Sequence, residues 1–130
     1  MFLIKVSNTV EEFKQLVDTC LSNRMYVAGW DLNPLLNDFK EQPHIYFNHN
    51  KAKILVGFVN DKPVSLFVYK GLNSTFDNCM SFTKKAYRER GYNSLLINKF
   101  KTEFSNLNLK KNSFGIKKSK EYFRKREIYG

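Results

Sequence analysis

Between Lys53 and Thr83 the chain has room for little except β-structure. Three strand-length runs follow one another, residues 53–60 (KILVGFVN), 64–70 (VSLFVYK) and 76–83 (FDNCMSFT). Only Asp61-Lys62-Pro63 and residues 71–75 separate them. Turns that short leave no length for a crossover, so the strands are expected as an antiparallel meander. The third run leads through a basic turn, residues 84–91, into an apolar-striped segment at 93–104. Leu96, Ile97, Phe100 and Phe104 fall on one helical face there, predicting an amphipathic helix.

The flanks supply the other layers. Residues 2–6 (FLIKV) read as a strand, and Thr9-Val10-Glu11-Glu12 has capping-box spacing. Val10, Phe13, Val17, Cys20 and Leu21 share a face, so residues 10–21 are expected as a helix. Trp30, Leu32, Leu35, Leu36 and Phe39 suit a second short helix begun near Asn33-Pro34, with proline at its first position. PHIYFNHN, residues 43–50, is expected to be irregular or a short edge strand. After a polar connection at 105–111, residues 112–117 read as a strand and 119–126 as a very basic helix. The whole is expected as one domain over residues 1–130, a mixed α/β sandwich.

Hydrophobic content of 42% and aromatic content of 15% exclude a disordered tail. No apolar run approaches the ~20 residues of a membrane helix, and the N-terminal MFLIK is too short for a signal core. Cys20 and Cys79 fit no metal or redox spacing and read as small buried hydrophobes of a reducing compartment. A cytoplasmic location without membrane contact is expected. His44 and His49 lack a third ligand at metal spacing, so no metal site is expected.

The net charge of +10 is uneven. Residues 1–80 balance, whereas 81–130 carry fourteen Lys/Arg against four Asp/Glu. Such a gradient marks an anionic partner on one face, or a solvated lysine-rich surface. A strand that feeds a helix through a basic, glycine-containing turn also suits phosphate. The first-turn N–H groups are free, and the helix dipole adds positive charge. Backbone N–H groups from Arg90 to Ser94 can cradle an anion, with Gly91 permitting close approach and Lys84, Lys85, Arg88 and Arg90 adding charge.

At Arg88-Glu89-Arg90-Gly91-Tyr92-Asn93 the chain resembles the GCN5-related N-acetyltransferase (GNAT) superfamily. The segment matches the first two fixed positions of that family's pyrophosphate signature, Arg/Gln-x-x-Gly-x-Gly/Ala, and Ser94-Leu95-Leu96 continues it. The hairpin VNDKPVSLFVY and the ending Glu121-Tyr122-Phe123-Arg124-Lys125 are also similar to family segments. The resemblance covers roughly residues 51–129. It implies a GNAT-like fold, a mixed and mostly antiparallel sheet with helices on both faces. It also implies acetyl-CoA as cosubstrate, its pyrophosphate on residues Lys84 and Arg88 to Ser94. Its pantetheine would lie on backbone groups of Phe82 and Thr83, in a slot between parallel strands 76–83 and 112–117. Asn93 departs from the second Gly/Ala, Phe123 stands where the family has a tyrosine, and Arg126-Glu127-Ile128 replaces Leu-Gly-Phe. The last hairpin is therefore expected to be shortened, leaving an edge that a second copy would complete.

The implied reaction is direct transfer of acetyl from acetyl-CoA to a primary amine, on a small molecule, a lysine or a protein N-terminus. Asp77 is the candidate base, where histone-acetyltransferase-type members carry a glutamate, and Tyr122 the candidate acid. Period-two geometry puts Asp77, Cys79, Ser81 and Thr83 on one face. An aspartate in water is the plainer reading of Asp77, and direct transfer needs no Cys79 nucleophile. Tyr26, Trp30 and Phe39 suit either an acceptor pocket or the core. Two other functions fit. One is a nucleic-acid-binding module using the basic C-terminal half, which would also suit an acidic target. The other is a CoA-binding pseudoenzyme acting through a partner.

Overall fold

The apolar runs on either side of residue 60 become two central strands, β2 (Lys53–Val59) and β3 (Lys62–Gly71). The computed structural model describes residues 1–25, 32–71 and 77–103. With β1 (Phe2–Val6) and β4 (Asp77–Thr83) they form a sheet of order β1-β2-β3-β4, antiparallel throughout. Alternation sorts the side chains to two layers. Ile54, Val56, Phe58, Leu66 and Val68 face the helices α1 (Val10–Ser22) and α2 (Leu32–Glu41). Leu55, Phe67, Tyr69 and Cys79 face α3 (Tyr92–Glu103) through Leu96, Ile97 and Phe100. Burial on both faces is why β2 and β3 read as continuous apolar runs rather than as alternating ones.

The capping box expected at Thr9 is formed. Thr9 Oγ1 accepts from the Glu12 N–H at 3.2 Å, and Glu12 Oε1 accepts from the Thr9 N–H at 3.0 Å. That satisfies two donors of the first turn and contributes about 1 kcal/mol. α2 starts one residue before the expected Asn33-Pro34, at Leu32, and Pro34 sits in its first turn, where no i→i−4 bond is lost.

Two expectations are corrected. Residues 45–49 are not irregular or extended but a π-helical turn, Ile45–His49, closed by Asn50 N–H to Ile45 O at 3.1 Å. A strand would send Tyr46 and Phe47 to opposite faces. The turn instead lets both pack on the α1/α2 layer, Tyr46 on Phe39 (5.0 Å between centroids) and Phe47 on Phe13 (5.6 Å). The hairpin turn is Asn60-Asp61, both at positive φ (49° and 65°), rather than Asp61-Lys62-Pro63. Two left-handed residues give the turn whose twist matches a two-residue hairpin. Lys62 and Pro63 therefore belong to β3, and Val64 is skipped where the register slips between Gly57 and Phe58. Proline beside a bulge loses no ladder bond.

The expected strand at 112–117, the basic helix at 119–126, the parallel slot and the shortened last hairpin lie outside the described residues, as do Tyr26, Trp30 and Phe104. Phe39 is core, fully buried in the α1/α2 layer. No helix among the described residues is long and apolar enough to cross a membrane. Cys20 and Cys79 are both buried. Burial pushes the Cys20 thiol far above its ordinary range. Neither thiol should therefore react with a disulfide reagent in the native protein, and both should react in denaturant. Prompt labelling of the native chain would contradict this packing.

Candidate functional site

β4 ends against the turn and α3 in a way its pairing dictates. Lys84 N–H donates to Val64 O at 2.9 Å, one step beyond the Ser65↔Thr83 pair. In an antiparallel ladder alternate residues point both backbone groups at the same neighbour. With Lys84 bonded to β3, Phe82 also faces β3, while Ser81 and Thr83 direct their N–H and C=O groups to the other side. Of Phe82 and Thr83, both expected to offer backbone to a ligand, Phe82 therefore points its groups at β3 and Thr83 points them away, as Ser81 does. Thr83 is further fixed by a 2.9 Å hydroxyl–hydroxyl bond to buried Ser65.

The chain then winds through one 3-10 turn, Lys85–Tyr87, with Tyr87 N–H on Lys84 O at 2.8 Å. Arg88 reaches back: its Nε donates to Thr83 O at 2.9 Å, and its guanidinium lies 5.9 Å from the Phe82 ring centroid. Arg88 therefore ties the end of β4 to the mouth of α3, a role that the signature did not reveal. Arg90 leans over Tyr87 at 5.4 Å. Among the described residues the single ion pair is Lys99–Glu103, so no carboxylate there neutralises Lys84, Lys85, Arg88 or Arg90.

Glu89 and Gly91 take positive φ, 65° and 77°, on either side of Arg90. Alternating backbone signs of this kind turn successive N–H groups into one concavity, the geometry of an anion nest. The first helical bond of α3 is Leu95 N–H to Gly91 O at 3.1 Å. The N–H groups of Glu89 through Ser94 have no acceptor among the described residues. A Cβ on Gly91 would meet nothing within 4 Å, so glycine is favoured there by its φ rather than by lack of space, and the space in front of it is open.

Thr83, Tyr87, Arg88, Glu89, Gly91, Tyr92, Asn93 and Ser94 line a pocket of about 70 Å³, enough for a phosphate group but not for a buried ligand. Asn93, the departure from the signature, is half-buried there, and its Oδ1 has no partner among the described residues. Because oxygen and nitrogen of an amide are assigned from their partners, the same side chain can turn two N–H donors on an anion. A larger groove of about 480 Å³ lies between β1, α1 and α3. It carries two carboxylates, Glu12 in the capping box and Glu103 paired with Lys99, and so is less suited to an anion than the turn before α3.

Ten expected site residues therefore gather in one place: Phe82, Thr83, Lys84 and Arg88 through Ser94. Asp77 does not join them. It opens β4 opposite Gly71, and at about 3.3 Å per residue its Cα is roughly 20 Å from Thr83. Tyr122 lies outside the described residues. No group of three His, Cys, Asp or Glu side chains among the described residues is placed to hold a metal ion.

Neither a family model nor a curated protein matches the sequence. Solved structures do match the fold. A predicted acetyltransferase from Clostridium acetobutylicum, solved with acetyl-CoA, is 11% identical, with a TM-score of 0.52 over 83% of this chain and 76% of that one. The PaiA N-acetyltransferase from Thermoplasma acidophilum, solved with coenzyme A, is 9% identical, with a TM-score of 0.50 over 82% and 73%. A GNAT-family acetyltransferase from Streptococcus pneumoniae is 15% identical, with a TM-score of 0.53 over 76% and 64%. At these identities the likeness is one of fold, and the fold is that of the GNAT acetyltransferases.

Proposed function

We propose that this chain, built on the GNAT acetyltransferase fold, is a divergent member of that superfamily. It binds acetyl-CoA and passes the acetyl group to a primary amine. One observation carries the reading: the N–H groups of Glu89 through Ser94, which have no acceptor among the described residues, lie among Lys84, Lys85, Arg88 and Arg90, which no carboxylate of those residues pairs. A pyrophosphate seated there gains charge-assisted hydrogen bonds and the dipole of α3 together. The pantetheine arm then runs along β4 on the outward N–H of Thr83, whose C=O holds Arg88, and on the outward groups of Ser81, toward the end of the strand where Asp77 stands. That direction makes the distance of Asp77 from the phosphate turn a requirement of the reaction rather than an objection to it.

Chemistry follows in a ternary complex. The acceptor ammonium gives a proton to a base, for which Asp77 is the candidate, and the amine attacks the thioester carbonyl. A backbone N–H on the outward side of β4 donates to the oxyanion that forms. Collapse breaks the C–S bond, and the CoA thiolate takes a proton, from Tyr122 or from water. The basic segment at 110–126 would draw the enzyme to acidic targets.

Calorimetric titration with CoA and acetyl-CoA tests the reading. Micromolar, saturable binding is expected, and no heat at millimolar ligand would overturn it. Tight, steeply salt-dependent binding of random nucleic acid with no CoA binding would favour a nucleic-acid module instead. CoA binding without acetyl transfer to any amine would leave a pseudoenzyme.

A further inference from the structure

Gly57 lies in the middle of β2, where a side chain normally packs, and its missing side chain is occupied by another residue. A Cβ built there would overlap the ring of Phe2. Phe2 comes from β1, pairs with Val59 and leans back across β2 into the notch that glycine leaves. The other face of the arrangement is Tyr92, the first residue of α3. The Phe2 and Tyr92 rings stack with centroids 4.1 Å apart and planes 2° from parallel. Phe2 also packs against the layer that holds Leu96, Ile97 and Phe100.

We infer that Phe2, seated in the Gly57 notch, is a positioning residue for the anion nest, setting through Tyr92 where the first turn of α3 points its N–H groups. The inference rests on the proposed CoA site. The first turn of a helix has few bonds of its own to hold it, since its first N–H groups lie outside the ladder. Here the sequence Glu89-Arg90-Gly91 before it is an alternating-φ turn whose N–H groups have no acceptor among the described residues, and its backbone tie to the helix is the Leu95 N–H bond to Gly91 O. One such bond leaves the direction of the Tyr92, Asn93 and Ser94 N–H groups to be set by packing as well, and the ring that Tyr92 rests on is Phe2. A displacement of less than an ångström at the nest changes every donor distance to a bound phosphate together. Phe2 does not itself line that pocket and reaches it through Tyr92, which does.

The arrangement makes an unusual prediction about a glycine. Gly57→Ala adds one methyl group far from the ligand, yet it evicts the Phe2 ring. It should weaken CoA binding about as much as Phe2→Ala, roughly threefold to tenfold for the loss of one aromatic stack. The Phe2→Ala/Gly57→Ala double variant should be no worse than either single one, since without the ring the methyl has nothing to displace. Phe2→Leu keeps apolar volume but no flat face, and should restore melting temperature without restoring affinity. Affinities are measured by calorimetry well below the melting temperature, and amide hydrogen exchange of Leu95, Leu96 and Ile97, the first hydrogen-bonded donors of α3, is followed in the ligand-free proteins. Faster exchange there, with the strands unchanged, is expected for Phe2→Ala and Gly57→Ala. Unchanged exchange at residues 95–97 in folded variants would overturn the inference even if the parent bound no CoA, an outcome that would separately overturn the proposed function. Single losses that multiply in the double variant, or affinity restored by Phe2→Leu, would overturn it too.

Discussion

Gly91→Asp is expected to weaken CoA binding by at least about a hundredfold while the protein stays folded. Gly91 holds φ at 77°, and an added Cβ would touch nothing within 4 Å. Aspartate tolerates left-handed backbone better than most residues, so the conformational cost stays near 1 kcal/mol. The carboxylate, however, stands among the N–H groups of Glu89 through Ser94, where the phosphates are proposed to sit. Two unit charges about 4 Å apart repel by roughly 1–4 kcal/mol between bulk-water and protein-surface conditions, and a pyrophosphate presents two. Gly91→Asn separates charge from strain, because it has the same shape without the carboxylate. It should lose no more than about tenfold. Calorimetry on both variants, with melting curves beside it, reads the difference. Equal affinity in the Asp variant and the parent would remove the turn from the binding site.

The turn was legible because its signals are local. Gly91 marked a close approach of the backbone, and the strand before it and the apolar stripe after it fixed where α3 begins. The same holds for α1, whose capping box is written in Thr9 and Glu12. Elements that failed to read correctly have physical reasons. In PHIYFNHN neither a period of two nor one of 3.6 is present, and only the tertiary packing of Tyr46 and Phe47 on Phe39 and Phe13 decides for a π turn. At the hairpin, proline drew the turn toward residues 61–63, although Asn60-Asp61 is the pair suited to two left-handed residues. The outward role of Ser81 depends on strand pairing, which no single strand declares. The Phe2–Gly57–Tyr92 arrangement is the hardest case, since three distant segments make it. Its one sequence signal is an isolated glycine inside a strand, a mark of close approach by another group.

The largest effect on stability should come from the other side of the sheet, at Phe13. Its ring is fully buried and meets Phe39 at 5.1 Å and Phe47 at 5.6 Å between centroids, both tilted. α1, α2 and the π-helical turn therefore converge on one side chain. Phe13→Ala loses the transfer energy of the ring and leaves a cavity that three separate elements must close, costing about 3–5 kcal/mol. Each tilted aromatic pair adds about 0.5–1.5 kcal/mol to what burial alone provides. Against a total stability of about 5–15 kcal/mol, that loss leaves a marginal protein. Phe13→Leu keeps most of the volume and should cost less than half as much. Urea unfolding of both variants measures the difference. α3 packs on the opposite face of the sheet, so the Leu variant should bind CoA as the parent does. A Phe13→Ala loss below about 1 kcal/mol would mean that the three elements close over the gap, and that the ring is not what holds them together.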